Sequence, residues 1–416
     1  MANQYDVAIA GSGIVGMSTA LWAQRRGLRV VICDPNPAGS GTTFGPACTI
    51  ATYACVPINS PSVITSLPSL LFSKDSPLIL NYWHAIKNSR WMLSFLANCR
   101  SSRVDAIGSG LGALLGHANA GLDPLIADIE AEDLMVNEDC LYVWSTQKGF
   151  EGAAQGNDLR RRQGVAMQEV GPAEVRALEP ALQMPIYRGL RFQGTRFVLH
   201  PQKLVERMQR QFVKNGGATI TAAVQSVDPG STGVTVKLGD GSTLTAGHFV
   251  VAAGAHSKSI KGAGVEVLPL GVERGYNVTY ANHRAKLTRP VGWAEAGFYA
   301  TPMELGLRIA GTVELDNLNA PPNPDRLAYL RRRATQMFGY LDGPSDEWLG
   351  YRPTMPDALP VIGPSHVSGR IIHAFGHQHI GLTLGGITGQ IVSDMVRGQQ
   401  PQLDVSALSG SRFRSA

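Results

Sequence analysis

The pattern of apolar and polar positions at the start of the chain predicts two strands joined by a helix. Residues 7–10 and residues 30–33 are apolar runs of strand length. Between them, residues 17–26 continue a helix that begins near Ile14 and stops at Gly27. Because a helix connects the two strands, we expect them to lie parallel in one sheet.

A similar alternation returns in the second half of the chain. The pattern predicts a helix over residues 203–214 and a strand over residues 218–223. A hairpin follows, with strands at residues 234–238 and 243–244 and a turn at the dipeptide Asp240-Gly241. We expect these elements to return the chain to the sheet that its first residues begin.

Two further regions have other patterns. Residues 276–280 and 307–310 alternate as strands, which predicts an antiparallel sheet within residues 267–348. Helical spacing around residues 70–98 and 106–129 indicates an inserted, largely helical segment.

A glycine fingerprint fills the first turn and gives the first indication of function. Gly11, Gly13 and Gly16 follow the first strand, and Asp34 ends the second. These glycines allow a tight turn, a close approach of backbone to a pyrophosphate, and close packing of helix on strand, while the carboxylate can bind ribose hydroxyls. The fingerprint therefore predicts a dinucleotide site, but it does not separate NAD from FAD.

Composition predicts an ordinary globular enzyme. The 416 residues are 44% hydrophobic and 17% charged, which is enough for a large core and two domains. Thirty-seven basic and 32 acidic residues give a net charge of +5, too small to indicate nucleic-acid binding. We expect no nucleic-acid partner.

Cysteine usage and hydropathy bear on location. The five cysteines have neither metal-ligand spacing nor a disulfide pattern, which favours a reducing cytoplasm. The first strand begins almost at once, so no signal peptide is expected. No apolar run reaches the roughly 20 residues that a membrane-spanning helix needs. We expect a cytoplasmic protein without a transmembrane segment, and a peripheral contact at the inner membrane stays open.

Four separated stretches resemble the FAD-dependent D-amino acid oxidase superfamily. They are the glycine turn with its Thr42-Thr43 loop, the strand end at Ala252-Ala253-Gly254 together with Val224, residues 350–363, and residues 375–389. The third is similar to the family's Gly-x-Arg-Pro…Asp-Gly-x-Pro-x-Ile-Gly motif. Within the superfamily the chain looks most like the D-amino acid dehydrogenases, and residues 375–383 most resemble the D-hydroxyproline dehydrogenases.

The resemblance implies an α/β protein that binds FAD. A Rossmann-like FAD-binding domain would comprise residues 1–55, 196–268 and 349–416. It would be interleaved with an α+β substrate domain, residues 56–195 and 269–348, built on an antiparallel sheet. The residues that the resemblance assigns to FAD are Gly11, Ser12, Gly13, Ile14, Val15, Gly16, Asp34, Pro35, Thr42, Thr43, Ala47, Cys48, Val224, Ala253, Gly254, Gly350, Arg352, Gly376, His377, His379, Ile380, Gly381, Leu382 and Thr383.

Five residues are candidates for contact with substrate. Arg352, in the family's Gly-x-Arg-Pro motif, is the first choice, because a guanidinium can hold a carboxylate through two parallel hydrogen bonds. Tyr276 and Arg274 lie two residues apart on a predicted strand and so share a face. Tyr299 occupies a stretch similar to one that supplies an aromatic wall, and His377 is assigned a positioning role in the glycine loop.

The resemblance implies oxidation of a D-amino acid, with D-proline and D-hydroxyproline as the favoured substrates. A hydride would pass from the substrate Cα to flavin N5, and electrons to an acceptor other than NAD. A sarcosine- or glycine-type secondary-amine oxidase is one alternative, and a flavoprotein subunit of an electron-transfer dehydrogenase is another. The acceptor (oxygen, quinone or a partner protein) and a covalent flavin bond at Cys48 or Cys55 stay open, and no metal is expected.

Overall fold

The structure, a computed structural model, describes residues 4–61, 76–283 and 285–413. The helices of these residues are α1 (Ile14–Arg25), α2 (Tyr82–Lys87), α3 (Ser89–Ala97), α4 (Ser101–Leu115), α5 (Ala118–Asp128), α6 (Gln147–Gly152), α7 (Ala154–Arg162), α8 (Pro172–Leu178), α9 (Pro201–Lys214), α10 (Pro324–Phe338) and α11 (Gly381–Val396). The strands are β1 (Tyr5–Ala10), β2 (Val30–Cys33), β3 (Thr49–Ile50), β4 (Leu78–Leu80), β5 (Met135–Val136), β6 (Cys140–Trp144), β7 (Met167–Val170), β8 (Arg188–Phe192), β9 (Arg196–Val198), β10 (Ala218–Ile220), β11 (Val224–Pro229), β12 (Val234–Leu238), β13 (Thr243–Val251), β14 (Gly271–Tyr280), β15 (Val291–Trp293), β16 (Phe298–Met303), β17 (Gly306–Leu315), β18 (Asp346–Thr354), β19 (Val361–Pro364) and β20 (Ile371–Phe375).

The first sheet is the Rossmann-like sheet that the sequence predicts. Its strand order is β10-β2-β1-β13-β12-β11, with β20 beside the carboxyl half of β13 and β19 beside β20. Strands β10, β2, β1, β13 and β20 are parallel, whereas β11, β12 and β19 pair antiparallel. The predicted α/β fold class is confirmed. The strand predicted over residues 218–223 ends at Ile220.

Helices α1 and α11 cover one face of this sheet and pack closely on each other. A side chain at Gly389 would place its Cβ 2.6 Å from the backbone of Ser18, so the two helices touch through their main chains. Helix α5 joins the same layer, because the Trp22 Nε1 donates a 3.0 Å hydrogen bond to the Gly121 carbonyl. Apolar side chains of α4 and α5 belong to the same buried core. The inserted helical segment therefore packs on the first sheet's helices.

The second sheet is larger and mostly antiparallel. Its order is β18-β14-β17-β16-β15-β6-β8-β7, and β4 pairs parallel with the end of β17. Helix α10 packs on one face, where Tyr276, Val278 and Tyr280 form part of a buried core. The predicted antiparallel sheet is confirmed, and its role in binding substrate stays a prediction. Residues 349–354 lie in its strand β18, although the predicted division of domains places them with the first sheet, and that division stays a prediction.

The inserted segment has shorter helices than its periodicity suggests. Of the helical spacing around residues 70–98, residues 70–75 lie outside the described residues, and the remainder forms β4 with α2 and α3. Residues 106–129 form most of α4 and all of α5. In the described part of the chain, no helix has the length and hydropathy needed to cross a bilayer.

Candidate active site

The glycine turn after β1 has the geometry that the fingerprint predicts. Gly11 has a φ of +108°, and a Cβ there would lie 2.7 Å from the Ala252 carbonyl carbon and closer still to its oxygen. Only glycine fits this position. The turn therefore meets the end of β13, and the structure brings together the first two stretches of the family resemblance.

Two loops complete this end of the first sheet. Asp34 accepts a 2.7 Å hydrogen bond at Oδ2 from the Ser12 backbone N–H, which fixes the carboxylate beside the turn. Thr43 Oγ1 accepts a 3.1 Å bond from the Ile14 N–H, and Thr42 Oγ1 donates a 2.7 Å bond to the Tyr351 carbonyl. The Thr42-Thr43 loop thus connects the glycine turn to β18.

The amino-terminal ends of α1 and α11 converge near this turn. A Cβ at Gly385, in the second turn of α11, would lie 2.9 Å from Ile14 Cγ1 at the start of α1. Neither helix has an acidic residue in its first turn or a hydrogen bond from its N-cap side chain. Two positive helix ends therefore face one region, which suits a pyrophosphate at α1 and negative charge on a reduced flavin ring at α11.

Residues 44–48 form a loop that is anchored to the second sheet. The carbonyls of this loop accept hydrogen bonds from Asn277 Nδ2, Thr301 Oγ1 and Arg308 Nη1, at 3.1, 2.8 and 2.8 Å. Cys48 lies at the end of the loop with a φ of +65°. Burial raises the pKa of the Cys48 thiol to about 11, so the thiol stays protonated and is a poor nucleophile for a flavin thioether.

The strand register identifies the face of the second sheet that meets this loop. Tyr142, Gly292, Tyr299, Ala310 and Asn277 are successive cross-strand neighbours on β6, β15, β16, β17 and β14. Cross-strand neighbours point to the same face of a sheet. Because Asn277 bonds the loop, this row faces the first sheet, and both tyrosines project into the space between the two sheets.

The tyrosines form a wall. Tyr142 and Tyr299 have ring centroids 5.3 Å apart, and Tyr299 Oη lies 3.1 Å from Tyr53 Oη. Tyr53 also donates a 3.2 Å bond to the Cys140 sulfur. Burial raises the pKa of Tyr53 and of Tyr299 well above the ordinary value, so both are neutral phenols. Sequence reasoning proposes Tyr299 and misses Tyr53 and Tyr142.

Arg352 reaches across the same face. It starts on β18, passes over Gly275 on β14, and donates at Nη1 a 2.9 Å hydrogen bond to the Thr312 carbonyl on β17. Its tip therefore lies one strand away from Tyr299. Burial lowers the pKa of Arg352, yet the side chain keeps solvent-accessible surface. We infer that this surface opens into the space between the two sheets, which we call the cavity.

His379 borders the same cavity. Its side chain has accessible surface, but protein surrounds it on most sides. Desolvation lowers the pKa of His379 to about 4, and the positive charge of Arg352 adds a smaller effect in the same direction. The imidazole is therefore neutral near pH 7. Arg352 thus places a cation near a neutral imidazole and neutral phenols, and this set of groups suits a small carboxylate.

Glu273 is a buried carboxyl next to Arg352. The two residues are direct cross-strand neighbours, and Glu273 is 1% exposed. Burial raises the pKa of Glu273 to about 7, against the opposing effects of Arg352 and a hydrogen bond to Thr354. Its Oε1 has no hydrogen-bond partner. Sequence reasoning does not identify this residue.

The structure does not bring His377 to the cavity. Its ring is 3% exposed, and Nε2 lies 2.9 Å from Thr388 Oγ1 on α11. Burial lowers the pKa of His377 to about 4, so it is neutral. This contact holds the glycine loop against α11, which agrees with positioning and not with direct contact to substrate.

Tyr276 and Arg274 lie on the opposite face from Arg352. The Tyr276 hydroxyl donates a 2.5 Å hydrogen bond to Glu314, and Arg274 Nη1 lies 3.2 Å from the same carboxylate. Arg274 also bonds the carbonyls of residues 320 and 321. The prediction that these two residues share a face is correct, but that face packs on α10, so we withdraw both as substrate contacts.

Two further hydrogen bonds connect α11 and the loop before it to neighbouring segments. Thr383 Oγ1 accepts a 2.9 Å bond from the Ala51 N–H, which ties α11 to the segment after β3. Gln378 has a φ of +49° and donates its backbone N–H to the Pro353 carbonyl, so the loop before α11 contacts the motif of Arg352. The described residues contain no group of three or more metal-ligating side chains.

The residues at the glycine turn, the Thr42-Thr43 loop and the start of α11 fit FAD. The backbone at Gly11 has no room for a Cβ, as the fingerprint requires of its first glycine. Asp34 lies at the position of the fingerprint that binds ribose, and the ends of α1 and α11 supply positive charge. Ser12, Gly13, Val15 and Gly16 belong to the turn and the first turn of α1, whereas Ala253 and Gly254 follow β13 and Val224 begins β11. Their individual contacts with FAD stay predictions.

Comparison with known proteins agrees with this architecture. The curated D-amino-acid oxidase of Bradyrhizobium diazoefficiens is 29% identical over 421 aligned residues, covering 99% of this chain and all of that protein. The crystal structure of glycine oxidase from Geobacillus kaustophilus superposes with a TM-score of 0.75 at 21% identity, over 99% of both chains. L-proline dehydrogenase from P. horikoshii has a TM-score of 0.74 at 16% identity, over 100% of this chain and 99% of that one.

The two solved structures show a shared fold, and their low identities carry no argument about substrate. A match to a protein-family model identifies the family. The model described as FAD dependent oxidoreductase (DAO) matches residues 6–395, which is nearly the whole chain. Since that match spans both sheets, the glycine turn and the loop before α11, the chain belongs to the DAO family of FAD-dependent oxidoreductases.

Proposed function

We propose that this protein oxidises a D-amino acid at Cα, with D-proline or D-hydroxyproline as the favoured substrate. The observation that carries the proposal is the position of Arg352, whose guanidinium lies over Gly275 and ends one strand from the tyrosine wall. The similarity to a D-amino-acid oxidase along the whole chain supports the D configuration.

Arg352 would hold the substrate carboxylate. A guanidinium has five N–H donors, and hydrogen bonds to the backbone carbonyls of Thr312 and Gly311 fix its plane. The remaining donors can form parallel bonds to a carboxylate. Because the bonds to β17 leave little rotational freedom, the carboxylate would be held in one orientation.

The neutral groups of the cavity would select the uncharged amine. Tyr299 and His379 carry no charge near pH 7, since burial raises the pKa of the phenol and lowers that of the imidazole. The His379 ring can accept a hydrogen bond from the substrate nitrogen, and the tyrosine rings can pack on the apolar ring of a cyclic imino acid. FAD, when bound, supplies the acceptor for the hydride.

The proposal is tested by anaerobic reduction of the purified holoprotein. The flavin spectrum is recorded during titration with matched D- and L-amino acids, D- and L-proline, hydroxyproline isomers, sarcosine and glycine. We expect bleaching by D-proline-like substrates and no bleaching by their L-forms. Bleaching by sarcosine or glycine alone would replace the proposal by the secondary-amine oxidase.

The electron acceptor is a separate part of the proposal. We expect reoxidation by a quinone analogue or dye to be much faster than by air, as for a dehydrogenase. Rapid reoxidation in air with stoichiometric peroxide would identify an oxidase instead. Activity that is lost on purification and restored by added cellular protein would favour the electron-transfer subunit.

A further inference from the structure

Helices α2 and α3 expose an unusual row of large apolar side chains. Trp83 is 74% exposed, Ile86 64% and Leu93 67%. The three lie within eleven residues of each other. Isolated exposed apolar residues are common, but a contiguous cluster that includes tryptophan marks an interaction surface.

Each of the two helices has one exposed side. Residues 83 and 86 lie three apart on α2, residues 90, 93 and 97 follow three- and four-residue steps on α3, and all five are exposed. The inner side is occupied by Trp91 and Phe95, whose rings stack with centroids 5.4 Å apart, and Phe95 is 6% exposed. Among the described residues, the inner side therefore packs on the protein, and the outer apolar side chains stay largely exposed.

The charged residues of the segment that carries this row are all basic. From residue 76 to residue 104 the sequence contains no aspartate or glutamate. It contains Lys87, Arg90, Arg100 and Arg103, and all four side chains are exposed. His84 lies 4.0 Å from Asp316 on the neighbouring loop, so one acidic group lies beside α2.

We propose that the outer face of α2 and α3 binds an anionic lipid surface. Tryptophan and aliphatic side chains enter the interface between lipid headgroups and acyl chains, while flanking lysine and arginine bind anionic headgroups. This face supplies both kinds of group on short helices that lie along the protein surface. The contact is peripheral, and it depends on neither the substrate nor the acceptor of the proposed function.

The test is flotation of the holoprotein with vesicles. Vesicles of phosphatidylcholine with phosphatidylglycerol are compared with vesicles of phosphatidylcholine alone. We expect binding to the anionic vesicles only, with weaker binding as salt is raised. The double variant Trp83→Ser, Leu93→Ser should bind the anionic vesicles more than about tenfold more weakly.

Two further variants make the test specific. Tyr340→Ser removes another apolar side chain, 83% exposed, that lies outside this face, and it should bind like the wild type. Lys87→Gln with Arg90→Gln should lose the preference for anionic lipid. Substrate-dependent flavin reduction in solution should be unchanged in all variants, which shows that they fold. A wild type that does not float, or face variants that float equally well, would overturn the proposal.

Discussion

Gly275→Ala is the most informative substitution, because it displaces the Arg352 guanidinium without changing the chemistry of that side chain. The added Cβ would lie 2.8 Å from Arg352 Nε and closer still to Cζ and Nη2. The three atoms that this Cβ would meet first all belong to the Arg352 guanidinium, and an alanine side chain is compatible with a strand. The collision is therefore with the end of a side chain and not with backbone, so the guanidinium moves while the strands keep their pairing.

The size of the effect follows from the displacement. Ordinary van der Waals contact begins near 3.4 Å, so the guanidinium must move by about 1 Å, a misplacement that can cost about 100-fold in rate. That factor corresponds to about 2.7 kcal/mol of transition-state stabilisation. The loss should appear in kcat/KM for amino acid substrates, with flavin content and melting temperature close to those of the wild type.

The assay is anaerobic reduction kinetics across a range of D-proline concentrations. Gly343→Ala serves as the matched control, because a Cβ there meets nothing within 4 Å. The control should keep wild-type kinetics. A Gly275→Ala protein with unchanged kcat/KM would refute the carboxylate role of Arg352, and so would an equal loss with amines that lack a carboxylate.

Three other predictions concern stability. Burial raises the pKa of Glu273 from 4.5 to about 7, so between these pH values the folded state holds a proton that the unfolded state has lost. The free energy of unfolding should therefore fall as pH rises from 4.5 to 7, and Glu273→Gln should flatten the slope of the melting temperature against pH. An unchanged slope would contradict this assignment to Glu273. Ala358 has a φ of +60°, so Ala358→Gly should raise the unfolding free energy by up to about 1 kcal/mol in denaturant titration; destabilisation would show that the conformation carries no strain. Gly389→Val should separate α1 from α11 and cost about 3 kcal/mol or more, measured as a lower melting temperature of the apoprotein, and a wild-type melting temperature would contradict the close packing.

Local patterns were sufficient to predict the cofactor end of the molecule. The glycine turn, Asp34 and the helix that follows lie within about one βαβ unit, where neighbouring residues determine the geometry. The Gly-x-Arg-Pro motif singled out Arg352 as the first candidate for carboxylate binding, and that role stays a prediction. The same resemblance assigned Thr42 and Thr43 to FAD, but their hydrogen bonds to Ile14 and Tyr351 are known only from the structure.

The substrate side depends on contacts between distant parts of the chain. Strand alternation predicted that Arg274 and Tyr276 share a face of the strand, but it did not predict which face meets the first sheet. A signal was present: Tyr276, Val278 and Tyr280 are the large apolar positions of β14, as expected of a face packed on a helix. Glu273, Gly275 and Asn277 are the small and polar positions and mark the cavity face.

The tyrosine wall could not be derived from local sequence. Tyr142 meets Tyr299 only because β6 pairs parallel with β15, across about 150 residues of chain. Gly292 lies between them, and a Cβ there would be 2.7 Å from the Tyr142 ring and 3.0 Å from the Tyr299 ring. The role of this glycine is visible only once the register is known.

The central claim is that Arg352 binds the carboxylate of a D-amino acid beside the flavin. Its most direct test is stopped-flow anaerobic reduction of wild-type and Arg352→Gln holoproteins by D-proline and L-proline, at equal flavin content. We expect rapid, saturable reduction of the wild type by D-proline alone, and for the variant a large rise in the D-proline concentration needed for half-maximal rate. Equal reduction by both enantiomers, or a variant that saturates like the wild type, would contradict it.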